Sequence, residues 1–202
     1  MPRRTFDAIV SSVGILLTAV LLIAGGLLFW GYSFANGQVY ENLKAQNIYF
    51  PEAGSESLAS PQVGPYLNQY AGQQLLNGEQ ARAYANHYIW VHLQDVADGK
   101  TYSEVSSLAR QNPDDPALAA QVDTLFRGTT LRGMLLDAYA FWKFGQLARI
   151  GSLAAFGLAA IMVVLTVLGF RHLRTASPNA QVFRAAAEPL SIQDEKLVDT
   201  SA

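Results

Sequence analysis

Residues 8–30 read AIVSSVGILLTAVLLIAGGLLFW, a run of 23 residues without a charged side chain. As an α-helix this run would be about 34 Å long, whereas the hydrocarbon core of a bilayer is about 30 Å thick. The run is therefore long enough to cross a membrane with some tilt. We expect a transmembrane helix over 8–30, preceded by a short terminus at 1–7.

A second run of the same kind lies near the other end of the chain. Residues 150–170 read IGSLAAFGLAAIMVVLTVLGF, with Arg149 before the run and Arg171 after it. As a helix it would span about 31 Å, so we expect a second transmembrane helix. Neither run contains an ionisable residue, which indicates anchors rather than a path for ions or charged substrates.

The composition excludes several classes of function. The 202 residues carry a formal net charge of −2, so no basic field is present to hold a nucleic acid, and we predict no such partner. The chain contains no cysteine, which excludes a disulfide framework, a thiol nucleophile and cysteine metal ligands.

A cleaved signal peptide is the alternative interpretation of the first run. Arg3 and Arg4 form a basic start, and residues 33–35 (SFA) resemble a cleavage site with small residues at its ends. The apolar part of a signal peptide is about 7 to 15 residues long, however, and this run is longer. We therefore expect an uncleaved anchor.

The basic residues near the first run predict its orientation. Arg3 and Arg4 precede it, whereas Lys44 is the only basic residue within about twenty positions after it, and basic residues favour the cytoplasmic side. With two spans, both termini are then cytoplasmic, and residues 31–149 lie outside the plasma membrane.

Residues 31–149 show mostly helical signals, so the predicted fold is all-α: two transmembrane helices with a small helical extracytoplasmic domain between them. Residues 52–65 are rich in Ser, Gly and Pro and favour a surface loop. The tail at 171–202 has no sustained apolar period, and we expect it to be mostly disordered. Helices are predicted, in chain order, over 40–46 as an extension of the first span, over 79–97, 101–111 and 116–126, and from 129 into the second span.

The histidines of this segment are the first candidates for chemistry. His87 and His92 are five residues apart, which places them about 140° apart around a helix, so they do not readily share one metal ion. His92 and Asp95 are better spaced, but no third ligand is evident. We interpret His92 as a hydrogen-bonded core histidine. Asp114 and Asp115, between two prolines, are interpreted as residues of a helix start.

No catalytic, cofactor or metal site is predicted from motifs, because the sequence holds no phosphate loop, G-x-S-x-G elbow or H-E-x-x-H motif. One small-residue stripe in the second span is a candidate for helix packing. Gly151, Ala155 and Ala159 recur at a spacing of four, which lets another helix approach closely. These residue types are also simply common in membrane helices.

Three short pieces carry a resemblance to a known group: NIYFP at 47–51, GKTYSE at 99–104 and LFRGTTLRG at 125–133. They resemble short actinobacterial membrane proteins of unknown function, which have two spans around an outer helical segment. Some of these proteins are similar to proteins labelled aromatic ring-opening dioxygenases. Extradiol ring opening uses an iron held by two histidines and a carboxylate, and no residues of this chain can be assigned to that site.

The sequence thus predicts a membrane-anchored interaction or accessory protein rather than an enzyme. Its expected partners are the lipid bilayer and another membrane or envelope protein. One alternative is a membrane-anchored enzyme or metal-binding domain that uses His87, His92 and Asp95. Another is a small subunit of a transport or envelope complex.

Overall fold

The computed structural model describes residues 3–175, and these are all-helical apart from short connections, as predicted. Two helices are long and apolar enough to cross a membrane, and they contain both predicted spans: α1 (Arg3–Gln46) and α7 (Pro116–Thr175). The disorder predicted for the tail falls, from residue 176 onward, outside the described residues.

Residues 47–115 join the two long helices through a series of short ones. No β-strand occurs within residues 3–175, although Tyr49 and Gln74 form one antiparallel bridge. The short elements are α2 (Glu56–Ala59), α3 (Gly64–Leu67), a 3-10 turn (Asn68–Tyr70), α4 (Gly78–Tyr84), a π-helical turn (Ala85–Ile89), α5 (Trp90–Ala97) and α6 (Tyr102–Gln111).

The chain divides into two compact units. Of the residues that the structure describes, the first contains 3–20 and 159–175, and within it the start of α1 packs against the end of α7. A Cβ atom added at Gly14 would collide with the Thr166 hydroxyl, and His172 lies 3.8 Å from the Asp7 carboxylate. Small residues therefore let the two helices approach closely in this unit.

The second unit, residues 21–158, holds the rest of both long helices and all of the short ones. The two long helices are in contact here as well: a Cβ atom added at Gly25 would lie 2.9 Å from the Phe156 ring, and one at Gly145 would lie 3.0 Å from the Cβ of Ala35. The buried Ser152 hydroxyl donates a hydrogen bond of 2.9 Å to the Gly25 carbonyl.

The second unit also contains the apolar core. Its deepest members, Leu67 and Leu75, are completely buried and come from the connection between the long helices. Both long helices contribute as well, so the short helices pack onto them. The buried core side chains are Val39, Leu43, Phe50, Leu58, Val63, Leu67, Leu75, Ala81, Ala85, Ile89, Leu93, Ala97, Val105, Leu125 and Leu135.

The helical segment from Gly78 to Ala97 contains a wide turn that the sequence did not predict. Its buried residues recur every four positions, at Ala81, Ala85, Ile89, Leu93 and Ala97. In a regular α-helix a spacing of four drifts by about 40° per step, so this stripe would turn away from the core by its end. The π-helical turn at 85–89 takes up the extra residue and keeps the stripe on one side.

The two helices that follow begin as predicted. Thr101 and Glu104 form a capping box: the Thr101 hydroxyl accepts a hydrogen bond from the Glu104 amide, and the Glu104 carboxylate accepts one from the Thr101 amide. The Thr101 amide and the Thr101 hydroxyl both donate to the Glu104 carboxylate, and these two hydrogen bonds lower the pKa of Glu104. At the start of α7 the Asp115 carboxylate accepts hydrogen bonds from the amides of Ala117 and Leu118, as expected of a helix-start residue.

We expect Thr101→Ala to destabilise α6 by about 1 kcal/mol, because an alanine leaves the first-turn amide without its acceptor. Ser103→Ala, inside the same helix, is the matched control and should change stability by at most about 0.5 kcal/mol. Amide hydrogen exchange over residues 102–108 measures the stability of α6 in both variants. Equal protection in the two variants would contradict the role of the cap.

Two expected boundaries were wrong. The predicted break after Phe126 is absent, since α7 continues through Gly128. A glycine inside a helix costs only about 1 kcal/mol, and here it lets the side chain of Leu93 approach the backbone of α7. The predicted loop at 52–65 contains α2 and the start of α3, because Leu58 and Val63 are buried in the core.

Candidate functional site

The π-helical turn is a natural place to look for a site, because such turns are rare and occur frequently where proteins bind or react. It carries His87, whose ring stacks on Tyr66 with the ring centroids 3.6 Å apart and the planes 8° apart. Burial lowers the pKa of His87, and the nearby Arg82 lowers it further. His87 is thus a stacked side chain whose surroundings favour the neutral form of the ring.

A polar cavity of about 380 Å³ lies beside this stack. Arg82 connects one wall of it to α7, since its guanidinium lies 4.9 Å from the centre of the Tyr139 ring and 3.0 Å from the Glu79 carboxylate. The other polar side chains that line it are Tyr66, Gln69, Tyr70, Asn86 and His87. They provide hydrogen-bonding groups but no nucleophile paired with a base.

His92 does not have the position expected from the sequence. It is exposed rather than buried in the core, and the expectation of a hydrogen-bonded core histidine was wrong. The neighbouring Leu93 takes the core position instead, because the π-helical turn changes the register of α5.

His92 and Asp95 both line a small cavity of about 160 Å³, together with Ser57 and Ser60. His87 lines a different cavity, so the structure does not bring together the three residues of the enzyme or metal alternative. Among residues 3–175 no group of three or more His, Cys, Asp or Glu side chains is placed to hold a metal ion.

The small-residue stripe of the second predicted span lies at several contacts. Ala155 and Ala159 are buried, and a Cβ atom added at Gly151 would lie 3.2 Å from the Leu28 side chain. Ser152, next to Gly151, makes the hydrogen bond to α1 described above. The spacing of small residues was visible in the sequence, whereas this hydrogen bond was not.

Two further cavities, which the sequence did not predict, follow one face of α7. One, of about 390 Å³, lies between α7 and the segment from Tyr84 to Leu93. The other, of about 350 Å³, lies between α7 and the end of α1. Leu131 lines both. Apolar residues spaced three or four apart are visible in the sequence of α7, but the packed face of any helix shows the same spacing. No signal in the sequence therefore indicated that cavities lie beside these residues.

A half-buried arginine holds α7 to the π-helical turn. The Arg132 guanidinium donates a hydrogen bond of 2.9 Å to the Asn86 side chain and lies 4.8 Å from the centre of the Trp90 ring. The contact joins α7 to the π-helical turn and to the start of α5, because Asn86 lies in the turn and Trp90 is the first residue of α5.

Comparison of the chain with known protein families, curated proteins and solved structures gives no match.

Proposed function

We propose that this chain is a two-span protein of the plasma membrane with both termini in the cytoplasm, and that it presents residues 31–149 on the outer face as a helical binding domain. Its role is then interaction rather than catalysis.

The exposed apolar surface of the two long helices carries the proposal. In the most apolar window of each helix, only 11% of the residues are buried. Leu16, Ile23 and Leu153 each expose nearly two thirds of their surface, and they are typical of the spans. Contact with water costs about 25 cal/mol for each Å² of such surface, whereas contact with lipid removes that cost. A bilayer is the environment that these helices fit.

The outer segment favours binding because it offers cavities beside a buried apolar core, without a catalytic constellation. The candidate residues His87 and His92 line separate cavities, and Asp95 accompanies only His92. A domain of this kind acts through the surfaces that it presents, and its partners would be lipid or another membrane or envelope protein.

The cysteine-free sequence makes the topology directly testable. Gln62→Cys lies in the outer segment and Thr175→Cys at the end of α7, and both positions are exposed. With a membrane-impermeant maleimide, we expect intact cells to label Gln62→Cys, and Thr175→Cys to react only after permeabilisation. The reverse pattern would overturn the orientation, and recovery of the chain in the soluble fraction would overturn the membrane assignment.

The partner is tested separately. Affinity purification of the full chain from native membranes in mild detergent, followed by mass spectrometry, should recover a membrane or envelope protein in constant ratio. An isolated chain that hydrolyses or oxidises small molecules in the absence of a partner would contradict the binding role.

A further inference from the structure

The polar cavity beside the π-helical turn, about 380 Å³ in volume, has a lining that suits one class of ligand. We call it the Tyr66 cavity. One wall comes from the segment 65–70 and the other from the segment 79–87, and every lining side chain except Pro65 and Ala83 carries a polar group. The volume lies in the range of small-molecule sites, so the cavity can hold a small polar ligand.

Two tyrosine rings give the Tyr66 cavity a fixed aromatic surface. Tyr66 stacks on His87 with the ring centroids 3.6 Å apart, yet it still exposes 48% of its surface. The centre of the Tyr70 ring lies 5.1 Å from that of Phe50, which is buried in the core. Because each ring is held by a neighbour, a ligand that packs on it does not have to order it first.

The charged groups of the lining are already paired with each other. The Arg82 guanidinium lies 3.0 Å from the Glu79 carboxylate and also donates a hydrogen bond of 3.4 Å to the Tyr139 hydroxyl. Lys143, outside the lining, lies 4.0 Å from the same carboxylate. The environment of His87 favours its neutral ring, since burial and then Arg82 lower its pKa. The lining thus has no net charge, and a neutral ligand fits it better than an ion does.

Two side-chain amides supply the lining with both a donor and an acceptor. The Asn86 carbonyl oxygen accepts a hydrogen bond of 2.9 Å from Arg132, so its NH2 group remains as a donor. The NH2 group of Gln69 donates a hydrogen bond of 3.3 Å to the backbone carbonyl of Tyr66, so its side-chain oxygen remains as an acceptor. Hydroxyl groups both donate and accept, so a ligand with several hydroxyl groups matches this mixed set.

We propose that the Tyr66 cavity binds a neutral saccharide, with the C–H face of a sugar ring on Tyr66 and its hydroxyl groups hydrogen-bonded to Gln69 and Asn86. A sugar ring has an apolar face of C–H groups and a rim of hydroxyl groups, so it uses the aromatic rings and the amides together. The inference rests on the proposed outer location of residues 31–149, where free saccharides and the headgroups of glycolipids both present this chemistry.

A peptide is the other neutral ligand of similar polarity, and the fold offers it less. Peptides commonly bind as an added strand at a sheet edge or as a helix in an apolar groove. No β-strand occurs among the residues that the structure describes, and the Tyr66 cavity is lined mostly by polar side chains. The observations therefore favour a saccharide.

The test measures sugar binding to the full chain, purified in an amine oxide detergent, because a detergent with a sugar headgroup would itself compete for the cavity. The probes are glucose, galactose, mannose, N-acetylglucosamine and the disaccharides built from them, followed by saturation-transfer NMR. We expect at least one of these neutral sugars to bind. Absence of binding by all of them to the folded protein would overturn the inference. The measurement does not depend on orientation in a membrane, so the topology result would still stand.

Glucuronate tests the absence of net charge. It should bind no more tightly than glucose, because Arg82 is already paired with Glu79. Binding of glucuronate tenfold tighter than that of every neutral sugar would indicate an anion site and would overturn the assignment.

A matched pair of tyrosine variants shows whether the sugar binds in this cavity. Tyr66→Ala removes the aromatic surface, and we expect it to weaken binding about tenfold. Tyr49→Ala removes a similarly exposed tyrosine that does not line the cavity, and binding should persist. Gln69→Ala, on an exposed side chain outside the core, should weaken binding about fivefold through the loss of one hydrogen bond. Unchanged binding in whichever of the two cavity variants folds would contradict the proposal.

The source of the saccharide is tested by competition. The sugar that binds best is compared with a glycolipid that carries the same headgroup, with the full chain in lipid nanodiscs. Stronger competition by the glycolipid would support the proposal with a lipid headgroup as the ligand, and equal competition would support it with a free saccharide. Tighter binding of trialanine than of every sugar would identify a peptide site instead and would overturn the proposal.

Discussion

Replacing Leu67 with alanine is expected to destabilise the second unit by about 3 kcal/mol, within the 2 to 5 kcal/mol range for such changes in a core. Leu67 is completely buried at the end of α3 and belongs to the apolar core. Its removal therefore loses both the transfer free energy of the side chain and the contacts around the cavity that remains. The melting temperature of the purified protein in detergent, followed by near-UV circular dichroism, should fall by about 10 °C.

Leu108→Ala is the matched control for this change. Leu108 lies on α6 with 36% of its surface exposed, so the same truncation there should cost about 0.5 kcal/mol or less. A similar loss in both variants would show that the core is not close-packed around Leu67.

Gly64→Ala is the second change with a large expected effect, of about 2 to 3 kcal/mol. A Cβ atom at Gly64 would overlap the carbonyl oxygen of Leu58, which is backbone and cannot rotate away. The chain between α2 and α3 would have to shift, which would strain the hydrogen bond of 2.8 Å from the Gly64 amide to the Ser60 carbonyl. Thermal unfolding in detergent measures the loss.

Gly133→Ala provides the control, because an added Cβ at Gly133 meets nothing within 4 Å. Alanine is also the better helix former, so this variant should be more stable by up to about 1 kcal/mol. We expect the change in stability to have opposite signs in Gly64→Ala and Gly133→Ala. Tolerance of Gly64→Ala would show that α2 and α3 are free to separate.

The features that the sequence predicted well depend on local or one-dimensional signals. Length and the absence of charge identified the apolar helices, and the spacing of Thr101 and Glu104 identified the start of α6. The prediction at Gly128 was wrong because a helix break was inferred from this glycine. In the structure the glycine instead lets the side chain of Leu93 approach the backbone of α7. Whether a glycine ends a helix or permits a contact depends on what lies opposite, which a single sequence does not contain.

The site was harder to predict than the fold for a related reason. His92 was assigned to the core from α-helical periodicity, and the π-helical turn shifted that periodicity so that Leu93 is buried instead. The two cavities beside α7 were missed because Leu131 and Met134 have the spacing of ordinary core residues. Their partial exposure arises from the packing of α1 and the segment 84–93 around α7, a tertiary property.

The π-helical turn at 85–89 also limits how the gene for this protein can change. Deletion of one residue there would remove the extra residue that the turn accommodates, so a regular helix would form with Leu93 and Ala97 still facing the core. Insertion of one further residue would instead rotate both side chains away from the core by about 100°. From Ala81 to Ala97 we therefore expect the protein to tolerate a one-residue deletion better than a one-residue insertion.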